Sequence, residues 1–204
     1  MMYRFFTEPT LNYFNNSYVN AEFMPFYKSE KRWRKRATIS DNSFIGLVES
    51  ISLDPQFKIA GLSFNLTCSQ FTNPLVADAV IKFQHRVFPF MLSIELKITP
   101  SYNRKLLFAQ AENYNQHGIK IIIDHAEQFK NQKDVLPYVE MTNGIKLSVT
   151  GQNIDNLTKW AQFSRQQRRR LTVYNVDNQE DMIKIQKADI RYIAGKMISS
   201  PIIF

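Results

Sequence analysis

The sequence predicts an α/β fold in which a parallel sheet is covered by helices. Short apolar strands and amphipathic segments alternate at least six times along the 204 residues. This order builds either a doubly wound sheet or a closed β/α barrel. Because 44% of the residues are apolar and 13% are aromatic, the chain can bury a core of ordinary size. We therefore expect one domain over residues 1–204.

The alternation is visible segment by segment. Strands are predicted over 58–66, 90–99, 119–125, 144–149, 171–176 and 190–195. Helices are predicted over 73–86, where apolar residues fall on one helix face, over 103–118, which Gly118 closes, and over 153–170 and 178–188. Residues 128–139 predict an irregular or helical crossover.

Targeting and redox features predict a cytoplasmic protein. The start "MMYRFFTEPTLNYF" lacks the charged, apolar and small-residue regions of a signal peptide, and no apolar run is long enough to span a membrane. The single Cys68 cannot form an internal disulfide and is typical of a small core residue.

The formal net charge of +8 is concentrated in two runs. Residues 28–36 carry six basic side chains and one acid, and residues 165–170 carry four arginines, so the rest of the chain is close to neutral. Solvated loop and helix faces explain such runs, and so do anionic partners such as a nucleotide, a nucleic acid or an acidic protein surface. Trp33, within the first run, either packs as a loop anchor or stacks on a base.

Polar residues stand where the predicted strands end. In both candidate architectures, ligand groups lie at the C-terminal ends of the strands. These positions are Asn65, Thr99, Asp124 with His125, Lys146 or Ser148, 174–177, and Gly195. Carboxylate, amide and lysine side chains at consecutive strand ends predict a divalent cation site with a nearby base.

The order of these motifs resembles the EAL family, bacterial phosphodiesterases that cleave cyclic di-GMP on a β/α barrel. "LSFNLTCSQF" is similar to its asparagine strand, "LSIELKIT" to its L-E-L-E-I-T-E strand, "GIKIIIDHAEQF" to its D-D-F-G strand and "GIKLSV" to its K-I-D strand. The opening "EPTLNYFNNSYVNAEFM" and the finish "YIAGKMISSPI" also match in order. The resemblance implies a TIM-like β/α barrel of the EAL type.

The chain is short for such a barrel, which ordinarily has about 250 residues. The deficit lies between Glu22 and Asn65 and between Lys146 and Tyr174. We expect a missing or reduced helix in the first gap and a trimmed crossover in the second.

The resemblance implies that part of a metal site is retained. Glu22, Asn65 and Asp124 occupy positions of family metal ligands, and Lys146 occupies that of the lysine that assists the attacking water. At the other site positions a different residue replaces the family's. Lys97 stands for a third ligand glutamate, His125 for the second aspartate and Ser148 for the aspartate that follows the lysine. Tyr174 stands for a strand glutamate and Ala194 for the glutamine of the last strand. Asp177 stands for a second glutamate.

These replacements disfavour two-metal chemistry, because two close divalent ions need several carboxylates to offset their repulsion. An ammonium at Lys97 would repel a metal and pair with Glu22 or Asp124. Asp124 alternatively forms a structural ion pair with Lys97 or Lys146. His125 suits a softer ion such as Zn²⁺ better than Mg²⁺.

We therefore expect a non-catalytic EAL-like regulatory domain that acts by binding a protein partner or as a scaffold, with no cofactor. The alternatives are a cyclic di-GMP sensor or a weak phosphodiesterase using Mg²⁺ or Mn²⁺, and nucleic-acid binding through the two basic runs if they lie close together. For the sensor, Glu8, Arg32 and Arg34 are candidate ligand-binding residues, although Glu8 and Phe26 replace polar and basic groups of the family.

Overall fold

The structure, a computed structural model, describes residues 2–30, 32–36, 38–53 and 59–199, and the backbone of 202–203. The strands are β1 (Tyr3–Asn12), β2 (Ser17–Ser29), β3 (Arg32–Lys35), β4 (Gly61–Thr67), β5 (Met91–Lys97), β6 (Lys120–Asp124), β7 (Gly144–Ser148), β8 (Arg170–Tyr174), β9 (Tyr192–Ile193) and β10 (Ile202–Ile203). The helices are α1 (Asp41–Ser50), α2 (Cys68–Thr72), α3 (Pro74–Val87), α4 (Arg104–Gln116), α5 (Leu136–Val139), α6 (Ile154–Gln166) and α7 (Gln179–Lys187).

Eight of these strands close into a barrel. The order is β1-β9-β8-β7-β6-β5-β4-β2, and β1 pairs again with β2 to complete the circle. β2 and β4 to β9 run parallel, whereas β1 is antiparallel to both its barrel neighbours, β2 and β9. The predicted β/α barrel is thus confirmed, with one strand reversed. β3 extends β2 as an antiparallel ribbon, and β10 pairs with β1.

Asparagine side chains fix where the covering helices begin. The side-chain oxygens of Asn73, Asn103, Asn153 and Asn178 accept hydrogen bonds from backbone N–H groups in the first turns of α3, α4, α6 and α7. These N–H groups have no partner inside a helix, so each cap stabilises its helix by about 1 kcal/mol. Four of the predicted helices therefore start close to their expected positions.

The two faces of each barrel strand have opposite characters. On β4, Leu62 and Phe64 pack outward, and Phe64 contacts rings of the surrounding core, including Phe44 of α1 and Phe83 of α3. The residues between them, Ser63 and Asn65, make polar contacts across the barrel interior. Because side chains alternate along a strand, an apolar outer face places the polar residues on the inside.

The connections that are shorter than in an ordinary barrel are not all where the sequence predicts them. The gap between β2 and β4 contains α1 of ten residues, so its helix is reduced rather than missing; residues 54–58 lie outside the described part. The crossover between β7 and β8 is not trimmed, because α6 has thirteen residues. The shortened helical connection is the one between β6 and β7. Two 3₁₀ turns and the four-residue α5 form the irregular crossover predicted there for 128–139.

Candidate functional site

A cavity of about 200 Å³ opens at the mouth where β2 and β4 to β8 end. Acidic side chains from four strands line it, and basic side chains from β3, β5 and β7 line it as well. The lining includes Glu8, Glu22, Asn65, Glu95, Lys97, Asp124, His125, Lys146 and Tyr174. Some of the strand-end residues predicted from the sequence therefore converge here, whereas Thr99, Ser148 and Gly195 do not line the cavity.

The centre of this site is a buried lysine held by two glutamates. The Lys146 ammonium donates hydrogen bonds to Glu22 and to Glu95, and all three side chains are buried. Asn65 Nδ2 donates to the other oxygen of Glu22, and Ser63 Oγ donates to the other oxygen of Glu95 at 2.7 Å. Each carboxylate thus receives two hydrogen bonds, which offsets the cost of burying it.

The pKa values of the three groups diverge. Burial acts to lower the pKa of Lys146, but Glu22 and Glu95 raise it well above its ordinary value. Burial acts to raise the pKa of Glu22, but the Lys146 charge and the hydrogen bonds hold it below its ordinary value. Burial, together with the charge of Glu22, raises the pKa of Glu95 to about 7. Near neutral pH the cluster is therefore an ion pair of Lys146 and Glu22 with a Glu95 that takes up a proton readily.

Asp124, at the end of β6, lies beside this cluster. Its Oδ2 is 3.6 Å from His125 Nε2, and its buried Oδ1 has no hydrogen-bond partner among the described residues. Burial raises the pKa of Asp124, although the charge of Lys146 opposes the rise. The expected ion pair with Lys97 is not formed, and Lys146 contacts the two glutamates instead.

A second hydrogen-bonded group stands next to Asp124. His125 Nδ1 lies 2.8 Å from the Tyr174 hydroxyl and 3.0 Å from Glu127 Oε1, and the Tyr174 hydroxyl donates to the same Glu127 oxygen. Glu127 Oε2 accepts from the backbone N–H of Ser148. The hydrogen bond to Glu127 raises the pKa of His125. Burial acts to raise the pKa of Glu127, but its hydrogen bonds from His125 and Ser148 hold it below its ordinary value.

Solved structures with this architecture come from EAL-domain proteins. PaMucR phosphodiesterase in complex with c-di-GMP superposes with a TM-score of 0.75 at 13% identity, covering 100% of this chain and 98% of that one. Klebsiella pneumoniae BlrP1 in complex with calcium and c-di-GMP gives 0.76 at 14% identity, covering 100% and 56%. An EAL-domain protein from Listeria monocytogenes gives 0.70 at 11% identity, covering 98% and 88%. The chain has the EAL-domain fold. No protein-family model and no curated protein matches the sequence.

Glu95 is a central residue that the sequence analysis did not single out. β5 pairs with β4 so that Glu95 is level with Asn65, whereas Lys97, which the EAL resemblance matches to the third ligand position, is level with Thr67 of β4 and with Asp124 of β6. Glu95 therefore lies in the central layer with Glu22 and Asn65, and the exposed Lys97 stands at the rim. Glu127 was also missed, because it follows a turn in which His125 has a φ of 53°.

The donor types of this EAL-fold site suit hard divalent ions, but their arrangement does not. Glu22, Asn65, Glu95 and Asp124 offer the oxygen ligands that Mg²⁺ or Mn²⁺ prefers. In the described part of the chain, however, no three or more acidic, histidine or cysteine side chains are placed to hold an ion. The Lys146 ammonium occupies the space between Glu22 and Glu95, and His125 and Tyr174 stand beside Asp124. The residues present do not fit a pair of ions.

The remaining substituted positions of the EAL site have structural roles. Ser148 Oγ accepts hydrogen bonds from Asn175 Nδ2 and from the backbone of Thr150. Asp177 pairs with Lys196 at the surface, with Asp177 Oδ2 and Lys196 Nζ 2.9 Å apart. Ala194 is buried.

Of the three predicted ligand-binding residues, one lines the cavity and two do not. Glu8 lines the cavity, where burial and the nearby Glu22 raise its pKa. Arg32 and Arg34 are exposed on β3 and do not line the cavity; Lys35 and Arg36 do. Trp33 packs on Phe6 with ring centroids 5.9 Å apart, which supports its role as an anchor of the ribbon.

The two basic runs lie at opposite ends of the barrel. The described residues of the first run lie at the C-terminal end of β2 and on β3, whereas 165–170 lead from the end of α6 to the start of β8. Because β2 and β8 point the same way, the runs cannot form one continuous surface, and nucleic-acid binding by both together loses its geometric basis. None of the helices in the described residues combines the length and apolar character needed to cross a bilayer.

Proposed function

We propose that this chain is an EAL-fold regulatory domain that binds a cyclic dinucleotide at the barrel mouth without hydrolysing it efficiently. The observation that supports the proposal is the contact of Lys146 with both Glu22 and Glu95. An ammonium held by two carboxylates neutralises the charge that would otherwise attract divalent ions, and removing it would leave buried charges unpaired.

The surroundings of Asp124 support the same conclusion. Two-metal catalysis places the ions about 3.5–4 Å apart with carboxylates around both. Next to His125, the Glu127 carboxylate is engaged by His125, Tyr174 and the Ser148 backbone. A second ion bound by Glu127 would have to displace these hydrogen bonds.

Cyclic di-GMP is the proposed ligand because two of the similar structures hold it, and because the rim of this cavity is basic. Lys35, Arg36 and Lys97 line the opening above the acidic cluster and suit contacts to phosphates. The cavity therefore offers cations at its entrance and a neutralised floor.

Weak hydrolysis with a single Mg²⁺ or Mn²⁺ is the second candidate. The unpartnered Asp124 Oδ1 favours it, and Glu22, Asn65 and Glu95 on neighbouring strands would have to move toward Asp124 to complete an oxygen ligand set. In that case Lys146 would assist the attacking water. This activity would require Lys146 to give up one of its carboxylate partners.

Calorimetric titration of the full chain with cyclic di-GMP, with and without Mn²⁺, tests the proposal, with chromatography of the mixture to detect hydrolysis. Micromolar binding without turnover supports it. Turnover that needs Mn²⁺ and is lost in Asp124→Asn, but kept in the surface control Asp78→Asn, would establish the weak phosphodiesterase instead. Absence of heat under both conditions would leave a scaffold for a protein partner.

A further inference from the structure

A second cavity, of about 300 Å³, lies at the opposite end of the barrel from the mouth. It is formed where α6 ends, β8 and β9 begin, and β1 turns into β2. Its lining includes the arginines Arg165, Arg169, Arg170 and Arg191 and the rings of Phe14 and Tyr192. The proposed function uses none of these residues.

The charge of this cavity is poorly balanced. Among its lining residues, Asp189 is the one acid, and it pairs with Arg165 at 3.1 Å. Lys120 lies close enough to Arg170 for their charges to interact. Burial is the larger cause that lowers the pKa of Lys120, and the positive charge of Arg170 lowers it further. Like charges packed this closely repel one another, and an anion bound between them would relieve that repulsion.

Three of the arginines are held in place by contacts that leave their charge available. Arg170 lies over the Tyr192 ring at 4.6 Å and Arg191 lies over the Phe14 ring at 4.9 Å. Arg169 donates from Nε to the carbonyl oxygen of Val139 at 3.1 Å. A guanidinium has five N–H donors, so these contacts orient the side chains without exhausting them. Such preorganisation lowers the entropic cost of binding.

We propose that this cavity binds a nucleotide, with its phosphates on Arg169, Arg170 and Arg191 and its base against Phe14. Arginine forks match phosphate oxygens two at a time. Phe14 is 54% exposed at the cavity edge, which leaves ring surface for stacking. A concave site between turns favours a small ligand over a nucleic-acid strand, particularly since the other basic run lies at the far end of the barrel. This inference does not depend on the function proposed for the mouth.

Titration of the full chain with ADP and with inorganic pyrophosphate tests the assignment. Micromolar ADP binding is expected, weakened at least tenfold in R170Q/R191Q. The double variant K130Q/K133Q removes two positive charges from exposed lysines that line neither cavity, and it should bind ADP as the wild type does. Matching circular dichroism and thermal melting would establish that both variants are folded. Equal loss in the two variants, unchanged binding in R170Q/R191Q, or no binding of either ligand would overturn the site.

The nature of the ligand is tested separately with Phe14→Ala. A nucleotide site predicts that this variant loses several-fold more affinity for ADP than for pyrophosphate, because ADP loses its stacking ring whereas pyrophosphate loses only the ring that orients Arg191. Equal weakening of both ligands would contradict stacking on Phe14. If pyrophosphate binds as tightly as ADP and Phe14→Ala affects neither, the nucleotide assignment is wrong. A single-stranded oligonucleotide that binds more tightly than ADP and competes with it would also overturn the small-ligand proposal.

Discussion

The hydroxyl of Tyr174 lies 2.8 Å from Nδ1 of His125. The EAL resemblance matches both positions to acidic residues, so this hydrogen bond joins two side chains where a second ion would need carboxylates. The pair is therefore the feature to alter when the catalytic state of the barrel is tested.

We predict that H125D/Y174E gains Mn²⁺-dependent hydrolysis of cyclic di-GMP, at least about tenfold above wild type. The new carboxylates would stand beside Asp124 and supply negative charge to offset a second divalent ion. Product formation followed by chromatography measures the gain. The matched control is H125N/Y174Q, which has the same side-chain sizes without the charges. Equal rates in the two double variants would show that something other than these carboxylates limits turnover.

Lys146→Met should lower the free energy of unfolding by about 3–5 kcal/mol near neutral pH, because it leaves Glu22 buried without its counter-charge. Urea unfolding measures the change. Lys82→Met removes an exposed lysine that pairs with Asp78 on α3, and because exposed ion pairs contribute little, its urea unfolding midpoint should stay close to that of the wild type. A loss for Lys146→Met as small as that of this control would mean that the buried cluster is not held by the lysine.

Glu95 should make the protein less stable as pH rises from about 4.5 to about 7. Its pKa is raised from 4.5 to about 7 on folding, so the folded state binds the proton more tightly throughout this interval. The stabilisation is complete below the lower value and is lost as pH passes the upper one, with a slope of at most about 1.4 kcal/mol per pH unit.

Urea unfolding of wild type and Glu95→Gln between pH 5 and pH 8 checks this dependence. The variant should follow a flatter curve, because its amide does not titrate. Glu22 has the opposite effect on the pH dependence of stability. Because its pKa is lowered on folding, it stabilises the protein above about pH 4.5, and this stabilisation is lost as the pH falls below that value. Parallel curves for wild type and Glu95→Gln would refute the raised pKa.

Gly195→Ala should destabilise the barrel by about 3 kcal/mol or more. Gly195 has a φ of +143°, and an added Cβ would lie 2.3 Å from the backbone nitrogen of Val176. Gly46 in α1 is the matched control, since an added Cβ there meets no atom within 4 Å; Gly46→Ala should stabilise by about 0.5–1 kcal/mol. Thermal melting of the two variants should therefore shift in opposite directions.

The sequence predicted the barrel well because its signals are local. Apolar runs predicted β4 to β9 to within a few residues, and asparagine residues predicted where four helices begin. The reversal of β1 was missed because no strands were predicted before residue 58; β1 and β2 form an antiparallel hairpin joined by the short turn between Asn12 and Ser17. Glu95 was missed because its place in the central cluster depends on the pairing between strands. Residues two apart on a strand share a face, so only the register with β4 decides which one lies level with Asn65.

The β2–β3 ribbon has a consequence for the free protein. β3 stands at one end of the hydrogen-bonded sheet order, so in the described part of the chain its outer edge has no further strand. An open edge of this kind invites pairing with a second molecule, and proteins block it with short strands and charged side chains. β3 has four residues, and Arg32, Arg34 and Lys35 are exposed on it. Charge repulsion along this edge would disfavour strand-to-strand pairing of two barrels, which gives Arg32 and Arg34, outside the cavity, a role that needs no ligand.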